Sequence, residues 1–222
     1  MSLKDWTPRA RPGQWPLTGT RVVLEPLDWD AQGPALYQAV AAPDIADMWD
    51  YMPLGPFTDA ADFQTSLTHI CAAFGWEMLV FRKVTTGDVL GMAGFMRIRE
   101  AHGSAEIGCV AFGRALRRTP EATEVMFLMA QHLFDELGYR RYEWKCHNDN
   151  AASRRAATRF GFQFEGIFRN DMVVKGKSRD TAWFAMTDAD WPQVKAAFQA
   201  WLAPSNFDAA GQQKRTLESF RS

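Results

Sequence analysis

The sequence predicts an α/β (α+β) fold, a mixed and mostly antiparallel sheet of about seven strands with helices on both faces. Three observations lead to it. Alternating segments rich in β-branched residues recur along the 222 residues. Segments at helical spacing fall between them. In the middle, three consecutive short strands are joined by tight turn signals, the mark of an antiparallel meander.

In chain order, residues 1–17 hold Pro8, Pro12, Gly13 and Pro16 and read as an extended arm. Thr20 to Leu27 alternates as a first strand. Pro34 to Val40 and Ala60 to Ala73 read as helices, the second capped by Thr58 or Asp59. Glu77 to Val84 is a strand, Thr86-Gly87-Asp88 a turn, and Val89 to Arg99 the return strand, with Gly91 and Gly94 at an expected bulge. His102-Gly103 turns the chain into a third strand, Ser104 to Phe112. Val125, Leu128, Met129, Leu133, Phe134 and Leu137 then recur at helical spacing, with Gly138 as the stop. Arg141 to Cys146 is a strand and Ala151 to Phe160 a short helix. Phe162 to Phe168 and Thr181 to Met186 are strands joined through Lys175-Gly176-Lys177. Asp188 or Asp190 caps a last helix to Leu202, and 204–222 is polar and reads as a loosely attached tail. One domain over 18–203 accounts for the pattern.

A formal charge of −1 gives no global field toward nucleic acid or an anionic membrane. No apolar run reaches the ~20 residues that span a bilayer, and the start of the chain lacks the apolar stretch of a signal peptide. Cys71, Cys109 and Cys146 fit neither a disulfide framework nor a zinc pattern, and the four histidines show no ligand spacing. A cytoplasmic protein with no metal is expected. Cys146 and His147 are adjacent, but strand neighbours point to opposite faces, so they make a poor thiol–imidazole dyad.

The stretch most suggestive of chemistry is Val110 to Glu124, where a strand runs through a basic loop into a long helix. Thr119 is placed to cap that helix and Pro120 to be its first residue. The amides of Glu121, Ala122 and Thr123 then point out of the positive helix end, with Arg117 and Arg118 in front. This can cradle a pyrophosphate, although on spacing alone an ordinary capped helix with solvated arginines is the plainer reading of the same residues. A second stretch, Lys145 to Phe162, has Asn150 as a helix cap and Ser153 three residues on, directly after a strand end.

Taken together, the motifs resemble the GNAT superfamily of acetyltransferases, in the branch that includes the ribosomal-protein N-terminal acetyltransferases of the RimJ/RimL type. The matching residues are Leu24-Glu25-Pro26-Leu27, Gly91-Met92-Ala93-Gly94, Ala105-Glu106-Ile107-Gly108, Thr123-Glu124, Leu137-Gly138-Tyr139-Arg140-Arg141, Asn150-Ala151-Ala152-Ser153, and Phe160-Gly161-Phe162 with Glu165-Gly166. One departure stands out: where the family's coenzyme loop has a glycine, Pro120 removes an amide donor. A degenerate acyl-coenzyme A sensor or protein-interaction module is therefore the alternative to an enzyme. A transferase acting on aminoacyl-tRNA is disfavoured by the lack of a basic stripe.

The resemblance implies transfer of acetyl from acetyl-coenzyme A to a primary amine, small molecule or protein N-terminus, by direct attack. It assigns the coenzyme to main-chain groups of Cys109, Val110, Ala111 and Phe112, to Arg117, Arg118, Thr119, Glu121, Ala122 and Thr123, and to Asn150 and Ser153. Such chemistry needs a base for the amine and an acid for the departing thiolate. Glu106 is the first candidate base, with Glu143 and Glu165 behind it, and Ser153 the candidate acid. Trp49, Tyr51, Phe57 and Trp76 would border the acceptor. No nucleic acid or membrane partner is expected; a homodimer is left open.

Overall fold

The computed structural model describes residues 3–221. Its sheet has eight strands: β1 (Leu17–Thr18), β2 (Val22–Pro26), β3 (Glu77–Lys83), β4 (Val89–Arg99), β5 (Ser104–Phe112), β6 (Arg141–His147), β7 (Gln163–Val174) and β8 (Lys177–Thr187). Their order is β1-β2-β3-β4-β5-β6-β8-β7. Only β5 and β6 run parallel; every other neighbour pair is antiparallel. The expected sheet is there, with two-residue β1 as the strand the alternation pattern is too short to reveal.

Helices α1 (Trp29–Val40) and α2 (Ala60–Phe74) cover one face, while α3 (Pro120–Gln131) and α5 (Trp191–Leu202) cover the other. Strand alternation feeds both layers. Leu79, Phe81 and Phe95 join Val125, Met129 and Phe198 in the larger core, whereas Met78, Val80 and Met92 join Leu36, Trp49 and Phe63 in the smaller. The short helix α4 (Ala151–Arg159) follows β6.

Several boundaries differ from expectation for identifiable reasons. Helix α1 starts five residues earlier, because Asp28 caps it by accepting from the amides of Asp30 and Ala31. Asp59, not Thr58, caps α2. Asp190 precedes α5 without capping it: its carboxylate accepts from the amide and hydroxyl of Thr187 instead. Strands β7 and β8 extend to meet at Lys175-Gly176, forming one long hairpin. Lys175 Nζ at its tip donates to the Trp49 carbonyl at 2.8 Å.

The expectation of a loose tail is overturned for the C-terminal segment. Leu217 is fully buried, and Asn206 is buried with hydrogen bonds to Trp201 and Arg215. Arg221 Nη1 donates to the Arg159 carbonyl at 2.7 Å. The N-terminal arm is also tied down, by Arg11 to Glu77 and Glu100 at 2.5 and 2.7 Å. Glu124 explains its place at the start of α3. Buried against the sheet, its carboxylate accepts from the amides of Thr20, Arg21 and Val22, fixing the entry of β2.

Candidate active site

Past Ile107 and Trp144 the two parallel strands part company. β5 stays with β4, and β6 stays with β8 as far as the His147–Thr181 pair. A cleft of about 880 Å³ opens between them. On the β5 side the chain bulges: Cys109 has φ +48°, and neither Cys109 nor Val110 has a register partner on either neighbouring strand. Buried peptide groups need partners, so an extended ligand can continue the ladder that β6 abandons. Glycine makes the bulge feasible on the opposite strand, since a Cβ on Gly91 would sit 2.4 Å from the Ala111 carbonyl oxygen.

Glu106 lies where the cleft begins and is 1% exposed. Lys145 Nζ and Arg97 Nε stand 3.4 and 3.6 Å from its Oε2, which accepts no hydrogen bond. Burial pushes its carboxyl up to about 7, outweighing the opposite pull of Lys145 and Arg97. The other two carboxylates are occupied elsewhere. Glu143 accepts from Arg99 and Arg141 at 2.5 and 2.7 Å, and Glu165 accepts from both terminal nitrogens of Arg141. Of the three, Glu106 alone lines the cleft.

Ser153 lines the cleft as well. Its Oγ accepts from Trp144 Nε1 at 3.0 Å, and its amide donates to Asn150 Oδ1 at 3.0 Å, so Asn150 is the N-cap of α4. With the indole donating to the oxygen, the hydroxyl proton is left to be donated, and the Cys146 sulfur is one acceptor within its reach. Burial raises the Cys146 thiol, against the lowering influence of a Ser153 hydrogen bond. The Asp149 amide donates to His147 Nδ1 at 3.1 Å, which turns the imidazole to its own loop rather than to Cys146.

The basic loop is less open than the sequence suggests. Thr119 caps α3, and its hydroxyl accepts from the Ala122 amide at 3.3 Å while donating to the Leu116 carbonyl at 2.7 Å. The Thr123 amide sits at the first position whose helical partner is the cap carbonyl. Of the three amides expected to be free, only that of Glu121 is left by this geometry. Glu121's carboxylate pairs with Lys83 at 3.4 Å, and neither Glu121 nor Ala111 lines the cleft. The Phe112 carbonyl is taken by Arg117 Nε at 2.9 Å. Arg117, Arg118, Thr119, Ala122 and Thr123 all line the cleft, Arg118 from a left-handed backbone at φ +63°.

Two contributors to this end were not expected. Arg159 reaches the cleft from the end of α4, donating to Thr123 Oγ1 at 3.2 Å and lying 5.2 Å over the Trp201 ring. The C-terminal segment supplies Phe207 and residues 211–213 to the wall, with Gln213 accepting from Trp201 Nε1 at 2.8 Å. At the opposite end, Trp49, Tyr51 and Trp76 line the cleft as expected, joined by Met48, Met52, Leu54 and Arg179. Phe57 does not: it packs edge-on against Trp49 at 4.8 Å in the smaller core. Among the described residues, no cluster of three or more His, Cys, Asp and Glu could hold a metal, and no helix is long and apolar enough to cross a membrane.

A split mixed sheet with a bulged strand, a buried carboxylate and a basic capped helix around one cleft is the architecture of an acyltransferase domain. Residues 21–163 match the acetyltransferase (GNAT) domain model, and the chain belongs to that family. It is 47% identical to a GCN5-related N-acetyltransferase from Brucella melitensis, with a TM-score of 0.92 and 99% of each chain covered. A probable acetyltransferase of the GNAT family from Chromobacterium violaceum is 41% identical, with a TM-score of 0.80, covering 86% of this chain and 96% of that one. An uncharacterized N-acetyltransferase of Bacillus subtilis (strain 168), YoaA, is 33% identical over 96 residues, 43% of this chain. That match spans about half, 54%, of the YoaA length.

Proposed function

We propose that this protein transfers the acetyl group of acetyl-coenzyme A to a primary amine by direct attack, without a metal. One observation carries the reading: the parting of β5 from β6 opens one cleft lined by the unpartnered backbone of the bulge, a carboxylate titrating near 7 and a serine hydroxyl whose proton can turn from Cys146 to a departing sulfur.

The donor set suits the coenzyme. Peptide groups of Cys109 and Val110 can pair with the amide-rich pantetheine arm. Arg117, Arg118 and Arg159, which line the cleft at the positive start of α3, suit the diphosphate. Pro120 removes one amide, and Arg159 supplies charge from the other wall. The Asn150 side chain caps α4 and thereby positions Ser153 rather than holding the arm itself.

The amine arrives mostly protonated, and its lone pair is free only after it gives up a proton. Glu106, half ionised near pH 7, accepts that proton. The nitrogen then attacks the thioester carbonyl carbon, and the oxygen gains the electron pair. Amides of the bulge stabilise that oxyanion. As the carbon–sulfur bond breaks, the carbonyl re-forms and the sulfur takes the electron pair; the Ser153 hydroxyl passes it a proton and is refilled by the second proton that the nitrogen sheds on becoming an amide. Holding both substrates in one cleft replaces a protein nucleophile.

The acyltransferase unit is proposed as 18–203, with the C-terminal segment forming part of its coenzyme wall. The proposed setting is cytoplasmic, with no nucleic acid partner. The chain is further proposed to belong to the branch that includes the ribosomal-protein N-terminal acetyltransferases. Calorimetric titration with acetyl-coenzyme A should show one site per chain, unaffected by chelator, and a panel of amines should release free coenzyme thiol. Binding without release from any amine would favour the sensor reading; absent binding would remove both.

A further inference from the structure

Arg179, on β8, is 7% exposed and lines the cleft at its acceptor end. Among the described residues no carboxylate lies within ion-pair distance of it, 4 Å. Its one hydrogen bond is a long one, from Nη1 to the Tyr51 carbonyl at 3.5 Å, and its buried Nε has no partner. A guanidinium with five donors that is buried and nearly unsatisfied is costly unless a ligand completes it. Desolvation lowers its affinity for its proton, and the Cys146 sulfur with the more distant Asp171 and Glu106 offsets this only in part.

Its placement tells what would complete it. The register pairs Lys145 with Trp183 and His147 with Thr181, so Glu106, Lys145, His147, Thr181 and Arg179 follow one another along a single face of the sheet. Lys145 already faces Glu106, which leaves Arg179 as the cation without a counter-charge. Apolar and adaptable side chains line the same cleft, Met48, Met52, Leu54, Trp76, Met96 and Met172 among them, and Met172 is the register partner of Arg179.

We infer that the acceptor amine carries its own carboxylate, which pairs with Arg179, and an apolar body, which the methionine-rich wall receives. The class is an amino acid with an apolar side chain, whose amine faces Glu106 while its carboxylate is held by the guanidinium. This rests on the transfer reading above and narrows it. A protein N-terminus, whose carboxylate is spent in a peptide bond, would leave Arg179 as unsatisfied as it is now.

The test compares L-phenylalanine, L-leucine and L-methionine with 2-phenylethylamine and phenylalaninamide, which lack the carboxylate. Two readouts are used: acetyl transfer, and calorimetric binding of each amine to the protein saturated with coenzyme A. The free amino acids should be preferred. Arg179→Gln should raise KM for them by about 10–100-fold, the worth of a charge-assisted contact, and leave 2-phenylethylamine unchanged. Arg179→Lys should recover part of the loss, and unchanged coenzyme A binding shows that each variant is folded. Equal or better use of the carboxylate-free amines, or an Arg179→Gln effect equal on both sets, would overturn the inference and leave the transferase intact. Coenzyme A binding with no amino acid bound or acetylated would overturn it as well. Failure to bind coenzyme A at all strikes the function proposal first.

Discussion

The two ends of the cleft are built by different means. The end proposed for the coenzyme is mostly backbone and helix geometry: a bulge at Cys109, a cap at Thr119 and a left-handed turn at Arg118. The end proposed for the acceptor is mostly side chains with buried polar atoms that lack hydrogen-bond partners, Glu106 Oε2 and Arg179 Nε among them. Backbone geometry tolerates many sequences and suits a ligand shared by a whole family. Unsatisfied side chains are costly to keep and therefore point to the particular molecule that relieves them.

The sharpest way to test that contrast is Glu106→Gln. If this carboxylate is the base, the transfer rate at neutral pH should fall by about 10²–10⁴-fold, with coenzyme affinity unchanged. Wild-type activity should rise as pH passes about 7, where Glu106 ionises, and the variant should lose that step. Stability gives a second reading. The folded carboxyl titrates above its unfolded value, so its contribution is full below the unfolded pKa and lost as pH climbs to about 7. Thermal melts should show Glu106→Gln gaining on the wild type between roughly pH 4.5 and 7, and a parallel pair of curves would contradict the buried-carboxylate picture.

At the other end, Arg117→Ala with Arg118→Ala should weaken coenzyme A binding by about 1.5–3 kcal/mol. Calorimetry against a pantetheine fragment without the diphosphate should show almost no loss. Equal loss for both ligands would mean that Arg117 serves the loop through its bond to Phe112 and nothing else.

Ser153 stands between the two ends. Ser153→Ala should slow turnover at saturation by about tenfold, below the usual range for acid–base catalysis because a thiolate leaves readily. Coenzyme affinity should stay, though Trp144 Nε1 loses its acceptor and stability falls by about 1 kcal/mol. Poor binding with normal saturated turnover would make the serine a binding group alone.

The smallest effect is expected from Pro120→Gly. It returns one amide to the helix start, which favours binding, and frees the unfolded chain, which costs about 0.4–1 kcal/mol of stability. A folded variant that no longer binds coenzyme A would show that the proline shapes the cradle.

This division also decides what could be read from the sequence. Strand alternation and the Thr119-Pro120 signal are local, so the meander, the basic loop and the family were legible. Asn150 as a cap and Glu106 on a cleft strand were legible for the same reason. Arg179 and Arg159 look like solvated charges until long-range packing buries the first and half-buries the second, and no local pattern marks that. Nor does composition show that polar residues 204–221 dock, because Leu217 and the Asn206 bonds anchor a segment that is otherwise hydrophilic. The free amides at 121–123 were over-counted because a capping hydroxyl consumes the donor it organises.

That docked segment has a consequence for how the molecule is made. Residues 211–213 wall the basic end of the cleft, where the coenzyme is proposed to sit, and Leu217 beyond them is buried in the larger core. A ribosome exposes its chain from the N-terminus, so sheet and helices can assemble well before this wall exists. Coenzyme in the surrounding fluid can therefore stabilise the finished protein by mass action but gives little help to the growing one, which must reach its fold on its own hydrophobic core.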